Sequence, residues 1–193
     1  MSKMPLFVLI LMVFSSLLFA NTDPVHTIKK NDAELQKLLK KSSLTKAEKE
    51  RIKNLLNDSF DFKLLAQKSL APAVWSAQSE ADQSMFIKEF QRMVRNSSAR
   101  KLEMYKADST IYDKPKLRGN EEARVTAHLW YKGKETTLEY RMTMVEGSWK
   151  AWDLIIDDLS TARNYKEQFS TLLKKKSFSE LIQVIRDKAN ETE

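Results

Sequence analysis

The sequence predicts an α+β fold, in which a four-stranded antiparallel meander packs against several helices with space for an apolar cavity between them. Apolar residues recur with helical spacing in the N-terminal half and again near the C-terminus, whereas between residues 108 and 157 they alternate with a period of two. Glycine, the usual residue of hairpin connections, occurs only 3 times, always between the alternating runs, at Gly119, Gly133 and Gly147.

The N-terminal part of the predicted domain is helical. Stripes of apolar residues cover 24–68, and Thr45–Glu48 forms a capping box at the start of one helix. Pro72 is expected to end or kink this stretch, because proline removes a backbone donor and clashes with the preceding turn. Ser79–Asp82 then begins a longer helix whose apolar face covers 86–105. Such a helix must bury its apolar side against a broad surface.

Four strands are expected in the alternating region. On the middle two strands one face is apolar and the other is polar and charged, as in an antiparallel sheet that is packed on one side. The last strand carries apolar residues on both faces, which indicates either helices on both sides of the sheet or a β-bulge that shifts the register. The predicted strands cover residues 109–116, 123–131, 135–145 and 149–157.

Two helices close the predicted domain. The first has an apolar stripe over 162–173, after a segment in which Asp157 and Ser160 are typical helix-capping residues. The second begins at a capping signal in Ser177–Glu180. The apolar faces of these helices and of the sheet fit a solid core, and they fit equally well the lining of a cavity between the two layers.

Composition excludes several classes of function. The chain has 193 residues, no cysteine and only 2 histidines, so it has no thiol nucleophile and no cysteine-ligated metal. His26 lies near the N-terminus and His128 on the polar side of a strand, which suits neither for a nucleophile–base pair. Asp153 is the one candidate acid, since it is a charge inside an apolar strand, although a structural hydrogen bond to a neighbouring loop is the simpler interpretation. We expect no catalytic residues, no metal site and no cofactor.

Residues 1–20 have the order of a secretory signal peptide. Lys3 precedes an apolar run, and the segment ends in the small residue Ala20. Cleavage after Ala20 would leave a single domain over 21–193, and an uncleaved membrane anchor is the alternative. In both cases the folded domain is exported. The formal net charge of +7 then points to anionic lipid head groups or acidic proteins as partners, not to nucleic acid.

Two blocks of the sequence, residues 64–108 and 138–188, resemble a known family. The most specific part is a W-K-x-W-D-x-x-I run followed by Ser and then by N-Y-x-x-Q-F: Trp149, Lys150, Trp152, Asp153, Ile156, Ser160, Asn164, Tyr165, Gln168 and Phe169. In these features the chain is similar to the MlaC family, the toluene-tolerance periplasmic proteins of Gram-negative bacteria. Ala71, the pair at 97–98 and Asp158 depart from the residues usual in the family, as in a divergent member.

This resemblance implies a periplasmic phospholipid carrier without catalytic residues or cofactor. The acyl chains would lie in the cavity between helices and sheet, and the head group at its mouth. A monomeric carrier would exchange lipid with an outer-membrane lipoprotein–porin complex and with an inner-membrane ABC transporter that has an MCE-domain subunit, and so maintain outer-membrane lipid asymmetry. The residues predicted to line the lipid site are Val74, Phe86, Phe90, Met93, Tyr105, Val125, Ala127, Leu129, Tyr140, Met142, Met144 and Trp152.

Two alternatives stay open at the level of sequence. The same architecture suits a carrier for a different apolar ligand, such as a hopanoid or the acyl chains of an exported lipoprotein. It also suits a small cone-shaped α+β enzyme that uses Asp153 as a buried acid in an apolar pocket.

Overall fold

The protein is an α+β domain in which an antiparallel sheet lies against a layer of helices. The computed structural model describes residues 23–100 and 105–191, and the predicted signal peptide lies outside the described residues. The helices are α1 (Pro24–Leu39), α2 (Lys46–Ser59), α3 (Phe62–Lys68), α4 (Pro72–Ser76), α5 (Glu80–Arg100), α6 (Thr161–Leu173) and α7 (Phe178–Asn190). The strands are β1 (Ser109–Tyr112), β2 (Lys116–Arg118), β3 (Glu122–Tyr131), β4 (Lys134–Val145), β5 (Ser148–Ile156) and β6 (Leu159–Ser160). None of these helices has both the length and the apolar character that crossing a bilayer requires.

Polar side chains fix the starts of the helices where the sequence predicts them. Thr45 and Ser177 each accept a hydrogen bond from the backbone N–H of the glutamate three residues later, and that glutamate accepts one in return, so both capping boxes are confirmed. Ser79 accepts a hydrogen bond of 3.1 Å from the Asp82 N–H at the start of α5. Pro72 begins the short helix α4, a position in which its missing N–H has no intrahelical partner to lose.

The sheet confirms the predicted fold class, but the described residues form six strands where four were expected. Its order is β1-β3-β4-β5-β6, and β2 pairs with β3 beside β1. The predicted strand over 109–116 is divided into β1 and β2, and Pro115, which has no N–H to donate to a partner strand, lies at the break. The sixth strand, β6, is a two-residue segment that pairs antiparallel with the end of β5.

Three two-residue turns connect β3 to β4, β4 to β5 and β5 to β6. Both residues of each turn have positive φ, as a type I′ turn requires. The turns at Lys132–Gly133 and Glu146–Gly147 confirm the predicted glycine corners. The third turn, Asp157–Asp158, contains no glycine and therefore gave no turn signal. Asp157 was expected to cap a helix, and this prediction is wrong. Its carboxylate instead accepts a hydrogen bond of 3.0 Å from the Thr137 N–H.

A β-bulge explains the two-sided pattern of β5. Arg141 pairs with Asp153 and Met142 with Ala151, so Trp152 is an extra residue in the register. A bulge shifts the alternation by one, and apolar residues on both sides of it therefore reach the same core. Those residues are Trp149, Ala151 and Leu154.

Two apolar clusters face each other across the domain. The first, which we call the sheet core, consists of the inner face of β3, β4 and β5 with Val25 and Ile28 of α1. The second, the helix core, consists of buried residues of α3, α5, α6 and α7. Phe60, between α2 and α3, packs against both clusters. The domain therefore has two layers, the sheet core and the helix core, and Phe60 connects them.

Candidate functional site

A cavity of about 750 Å³ lies between the sheet core and the helix core. Tyr140, Ala151 and Leu154 contribute to its sheet side, and residues of α1, α2, α3, α5 and α6 form the other walls. Protein interiors seldom contain voids much larger than a water molecule, whereas pockets for small molecules and cofactors occupy about 300–1,000 Å³. The volume therefore falls within the range of small-molecule binding pockets.

The exposed residues of the cavity wall belong to α6, to the end of α7 and to the turn between β5 and β6. Leu159, at that turn, is 76% exposed, and Asn164 and Glu191 are exposed as well. The wall formed by Leu65 and Ala151 is fully buried. The cavity therefore has a mouth with polar groups beside these segments and a closed, largely apolar interior.

Polar groups also occur inside the cavity, on the wall formed by α1 and α2. Asn31 donates a hydrogen bond of 2.8 Å from Nδ2 to Ser59 Oγ, which links the two helices. Asp32, on the same wall, accepts a hydrogen bond from the Tyr112 hydroxyl of β1. These residues could not be predicted from the sequence, because single polar residues on a helix give no periodic signal.

Burial changes the titration of Asp32 on this wall and of Tyr140 on the sheet side. Desolvation raises the pKa of Asp32 to about 6, and the hydrogen bond from Tyr112 opposes that rise. The pKa of the Tyr140 hydroxyl is raised well above its usual value, mainly by burial and then by the negative charge of Asp32. Asp32 and Tyr140 are thus close enough to interact electrostatically across the cavity.

The structure separates the twelve residues predicted to line a lipid site. Three of them line the cavity: Met93, Tyr105 and Tyr140. Five belong to the sheet core or pack against it: Val125, Ala127, Leu129, Met142 and Met144. Four belong to the helix core or pack against it: Val74, Phe86, Phe90 and Trp152. Contact of any of the twelve with lipid stays a prediction.

Several residues that line the cavity were not among the predicted set. Phe60 and Phe62 lie at the junction of α2 and α3, where the helical period is interrupted, so periodicity could not place them. Asn164, Tyr165 and Gln168 also line it, and all three belong to the N-Y-x-x-Q-F segment that carries the family resemblance. The family resemblance of that segment was therefore the one sequence feature that could have indicated these cavity residues.

Asp153, the candidate acid, lies outside the cavity wall and is fully buried. Its Oδ2 accepts a hydrogen bond of 2.7 Å from Ser160 Oγ, and its Oδ1 accepts one of 2.9 Å from the Ala162 N–H. Arg141 Nη1 lies 3.5 Å from Oδ2. These contacts tie the N-terminus of α6 to β5, in agreement with the structural interpretation of this residue. Within the described part of the chain, no three His, Asp or Glu side chains are grouped so that they could hold a metal ion.

An α+β domain with a largely apolar cavity between its layers has the architecture of a binding protein for an apolar ligand. The family model described as MlaC protein matches residues 29–187, and the chain therefore belongs to the MlaC family. A solved structure with a similar fold is the phospholipid-binding protein from Ralstonia solanacearum in complex with a phospholipid, with a TM-score of 0.74 and 20% sequence identity. The alignment covers 88% of this chain and 98% of that one. No curated protein sequence gives a significant match to this chain.

Proposed function

We propose that this protein is a periplasmic carrier of phospholipids. The observation that carries the proposal is the cavity of about 750 Å³ between the sheet core and the helix core. Membership of the MlaC family supports it, as does the similar fold of a protein whose structure contains a phospholipid. In this proposal the acyl chains occupy the apolar interior, and the head group stays at the mouth beside Leu159 and Asn164.

The physical chemistry of lipid transfer explains why a carrier needs such a cavity. Exposing hydrocarbon to water costs about 0.8 kcal/mol per CH₂, so a lipid with roughly thirty methylenes would cost over ~20 kcal/mol to release into water. An apolar cavity replaces the bilayer as the environment of the chains. Movement between membrane and carrier then becomes nearly neutral in free energy, and partner proteins decide its direction.

We place the carrier between two membranes. In this proposal residues 1–20 direct export and are removed, and the single domain 21–193 acts in the periplasm as a monomer. It exchanges phospholipid with an outer-membrane lipoprotein–porin complex and with an inner-membrane ABC transporter that has an MCE-domain subunit, which maintains outer-membrane lipid asymmetry. Family membership supports this assignment, and the net charge of +7 suits contact with anionic surfaces.

The enzyme alternative has lost the residue on which it depended. Asp153 does not line the cavity, and both of its oxygens accept hydrogen bonds from the start of α6. The proposal therefore treats the protein as a binding and transport protein without a catalytic residue or cofactor.

Lipid mass spectrometry on protein purified from its native envelope tests the proposed function. We expect phospholipid in stoichiometric amount in the organic extract. Reproducible absence of phospholipid would contradict the proposal, and a stoichiometric hopanoid or other apolar compound in its place would assign the cavity to a different ligand. Protein refolded after denaturation and delipidation is the matched control, since it reports adventitious lipid only.

A further inference from the structure

Tyr140 places a hydroxyl group without a protein partner on the cavity wall. The residue is 7% exposed and lines the cavity, and no hydrogen bond between described residues involves its hydroxyl. The neighbouring tyrosines differ: the Tyr112 hydroxyl donates to Asp32, and the Tyr165 hydroxyl lies against the Ser97 side chain. Buried polar groups in proteins nearly always have a hydrogen-bond partner. The Tyr140 hydroxyl is not among the buried polar atoms that lack a partner, so it is accessible from the cavity and can donate to a molecule that occupies it.

The depth of Tyr140 inside the cavity determines which part of a bound lipid would lie next to its hydroxyl. Tyr140 pairs with Leu154, which lies three residues before the turn at Asp157. At about 3.3 Å per residue, Tyr140 lies roughly 10 Å inside the mouth of the cavity. A lipid whose head group stays at the mouth would bring its glycerol region or the first part of its chains to this depth.

Asp32 is the charged side chain that acts on the Tyr140 hydroxyl, and it disfavours a phosphate at this position. Asp32 lines the same cavity, and its pKa of about 6 makes it a carboxylate at neutral pH. Arg95 also lines the cavity: its Nη2 is paired with Glu50 of α2, whereas its Nε is buried without a hydrogen-bond partner among the described residues. Lys188 lies at the mouth. A phosphate beside Asp32 would be repelled. An uncharged oxygen would accept the hydrogen bond without that repulsion.

We infer that the Tyr140 hydroxyl donates a hydrogen bond to an uncharged oxygen of the bound lipid, either an ester carbonyl of the glycerol region or a free hydroxyl. The inference rests on the proposed function, because it requires a lipid in the cavity. It gives Tyr140 a role in selectivity: a lipid with this oxygen binds in preference to an ether lipid of the same shape.

A competition between three phosphatidylglycerol-type lipids tests the inference. The delipidated mature chain is mixed with vesicles that contain equal amounts of a diester lipid, its dialkyl ether analogue and a 1-O-alkyl lipid with a free glycerol hydroxyl, and the bound lipids are quantified by mass spectrometry. For the wild type we expect an enrichment of about 5-fold over the diether lipid, the size of one buried neutral hydrogen bond. Enrichment of the diester identifies a carbonyl as the acceptor, and enrichment of the 1-O-alkyl lipid identifies a hydroxyl.

The variant Tyr140→Phe removes only the hydroxyl and should abolish the enrichment while total lipid loading remains. Tyr131→Phe is the matched control, because it removes a hydroxyl from β3 outside this cavity and should leave the enrichment unchanged. Equal enrichment in the wild type and in Tyr140→Phe would overturn the inference and leave the proposed function intact. Absence of any bound lipid in the wild type would overturn both. The infrared carbonyl band of a ¹³C-labelled diester supplies a readout without a variant: a carbonyl acceptor shifts it to lower wavenumber on binding.

Discussion

Two regions of the inner face of the sheet, β3 on one side and β4 with β5 on the other, differ in whether they line the cavity. Both regions have apolar residues in alternation. On β3, Val125 and Ala127 are fully buried in the sheet core and do not reach the cavity. On β4 and β5, Tyr140 and Leu154 belong to the same core and also line the cavity. The difference is the neighbouring layer. Val25 and Ile28 of α1 contribute side chains to the sheet core, whereas the starts of α3 and α6 are hydrogen-bonded to β5 at Ala151 and Asp153, and the cavity lies beside these contacts. The alternation identifies a buried face, but the helices decide whether that face is solid core or cavity wall.

The largest expected effect is the loss of solid core on the helix side. Phe90 is fully buried and contacts the rings of Tyr165 and Phe169 at centroid distances of 4.8 and 5.5 Å. Phe90→Ala should lower the free energy of unfolding by about 3–5 kcal/mol, because it removes buried contacts and leaves a void. Urea unfolding measures the change. A loss below about 1 kcal/mol would show that this side is as loosely packed as the cavity wall.

The next effect concerns the contact that attaches α6 to the sheet. Asp153→Ala removes two hydrogen bonds to the start of α6 and leaves Arg141 without this partner, so we expect a loss of about 2–4 kcal/mol in the free energy of unfolding. Glu167→Ala, at an exposed position on the same helix, should change stability by less than about 0.5 kcal/mol. Thermal unfolding followed by circular dichroism compares the two variants. Equal small effects would contradict a structural role for Asp153.

A pH-dependent effect is expected on the cavity side. The pKa of Asp32 is raised to about 6 in the folded protein from 3.8, so the folded state holds this proton more tightly than the unfolded state. The contribution of Asp32 to stability is therefore present below about pH 4 and is lost as the pH rises to about 6, by at most about 3 kcal/mol. Asp32→Asn keeps an acceptor for Tyr112 and removes the charge.

This variant should be more stable than the wild type at pH 7.5, and the advantage should disappear at pH 4. Urea unfolding at the two pH values measures the difference. Asp187→Asn, at an exposed site on α7, is the control for a general effect of removing a carboxylate. An advantage of Asp32→Asn that is the same at both pH values would contradict the buried titration.

The smallest change in stability is expected for a larger side chain placed at the cavity. Comparison with the same enlargement in the solid core distinguishes the two regions directly. Val94 lines the cavity and is half-buried, so Val94→Phe has open space for the larger ring and should change stability by less than about 1 kcal/mol. Ala127→Phe, in the solid part, should lower stability by about 1–3 kcal/mol or more through overpacking. Only Val94→Phe should reduce lipid loading at unchanged fold, measured by mass spectrometry of extracted lipid. Unchanged lipid loading in Val94→Phe would show that this part of α5 does not contact the ligand.

Much of the architecture could be predicted from the sequence because it depends on short-range chemistry. The capping boxes at Thr45 and Ser177 and the turns that contain Gly133 and Gly147 lie where the residues indicate. The turn at Asp157–Asp158 was not predicted. Both residues have positive φ, but aspartate is also common outside such turns, so it indicates them less clearly than glycine does. The bulge at Trp152 was one of two predicted explanations for β5, and only the pairing with β4 distinguishes between them.

The sequence by itself determined the periodicities, the caps, the glycine turns and the absence of cysteine, and hence an α+β domain without thiol chemistry. The tertiary structure decided which buried residues meet a cavity. Phe86 and Met93 lie on the same apolar stripe of α5, yet Phe86 is enclosed by the helix core and Met93 lines the cavity. Periodicity reports the direction of a side chain relative to its own helix or strand. The gap in front of it depends on how closely two layers pack, and residues far apart in the chain set that distance.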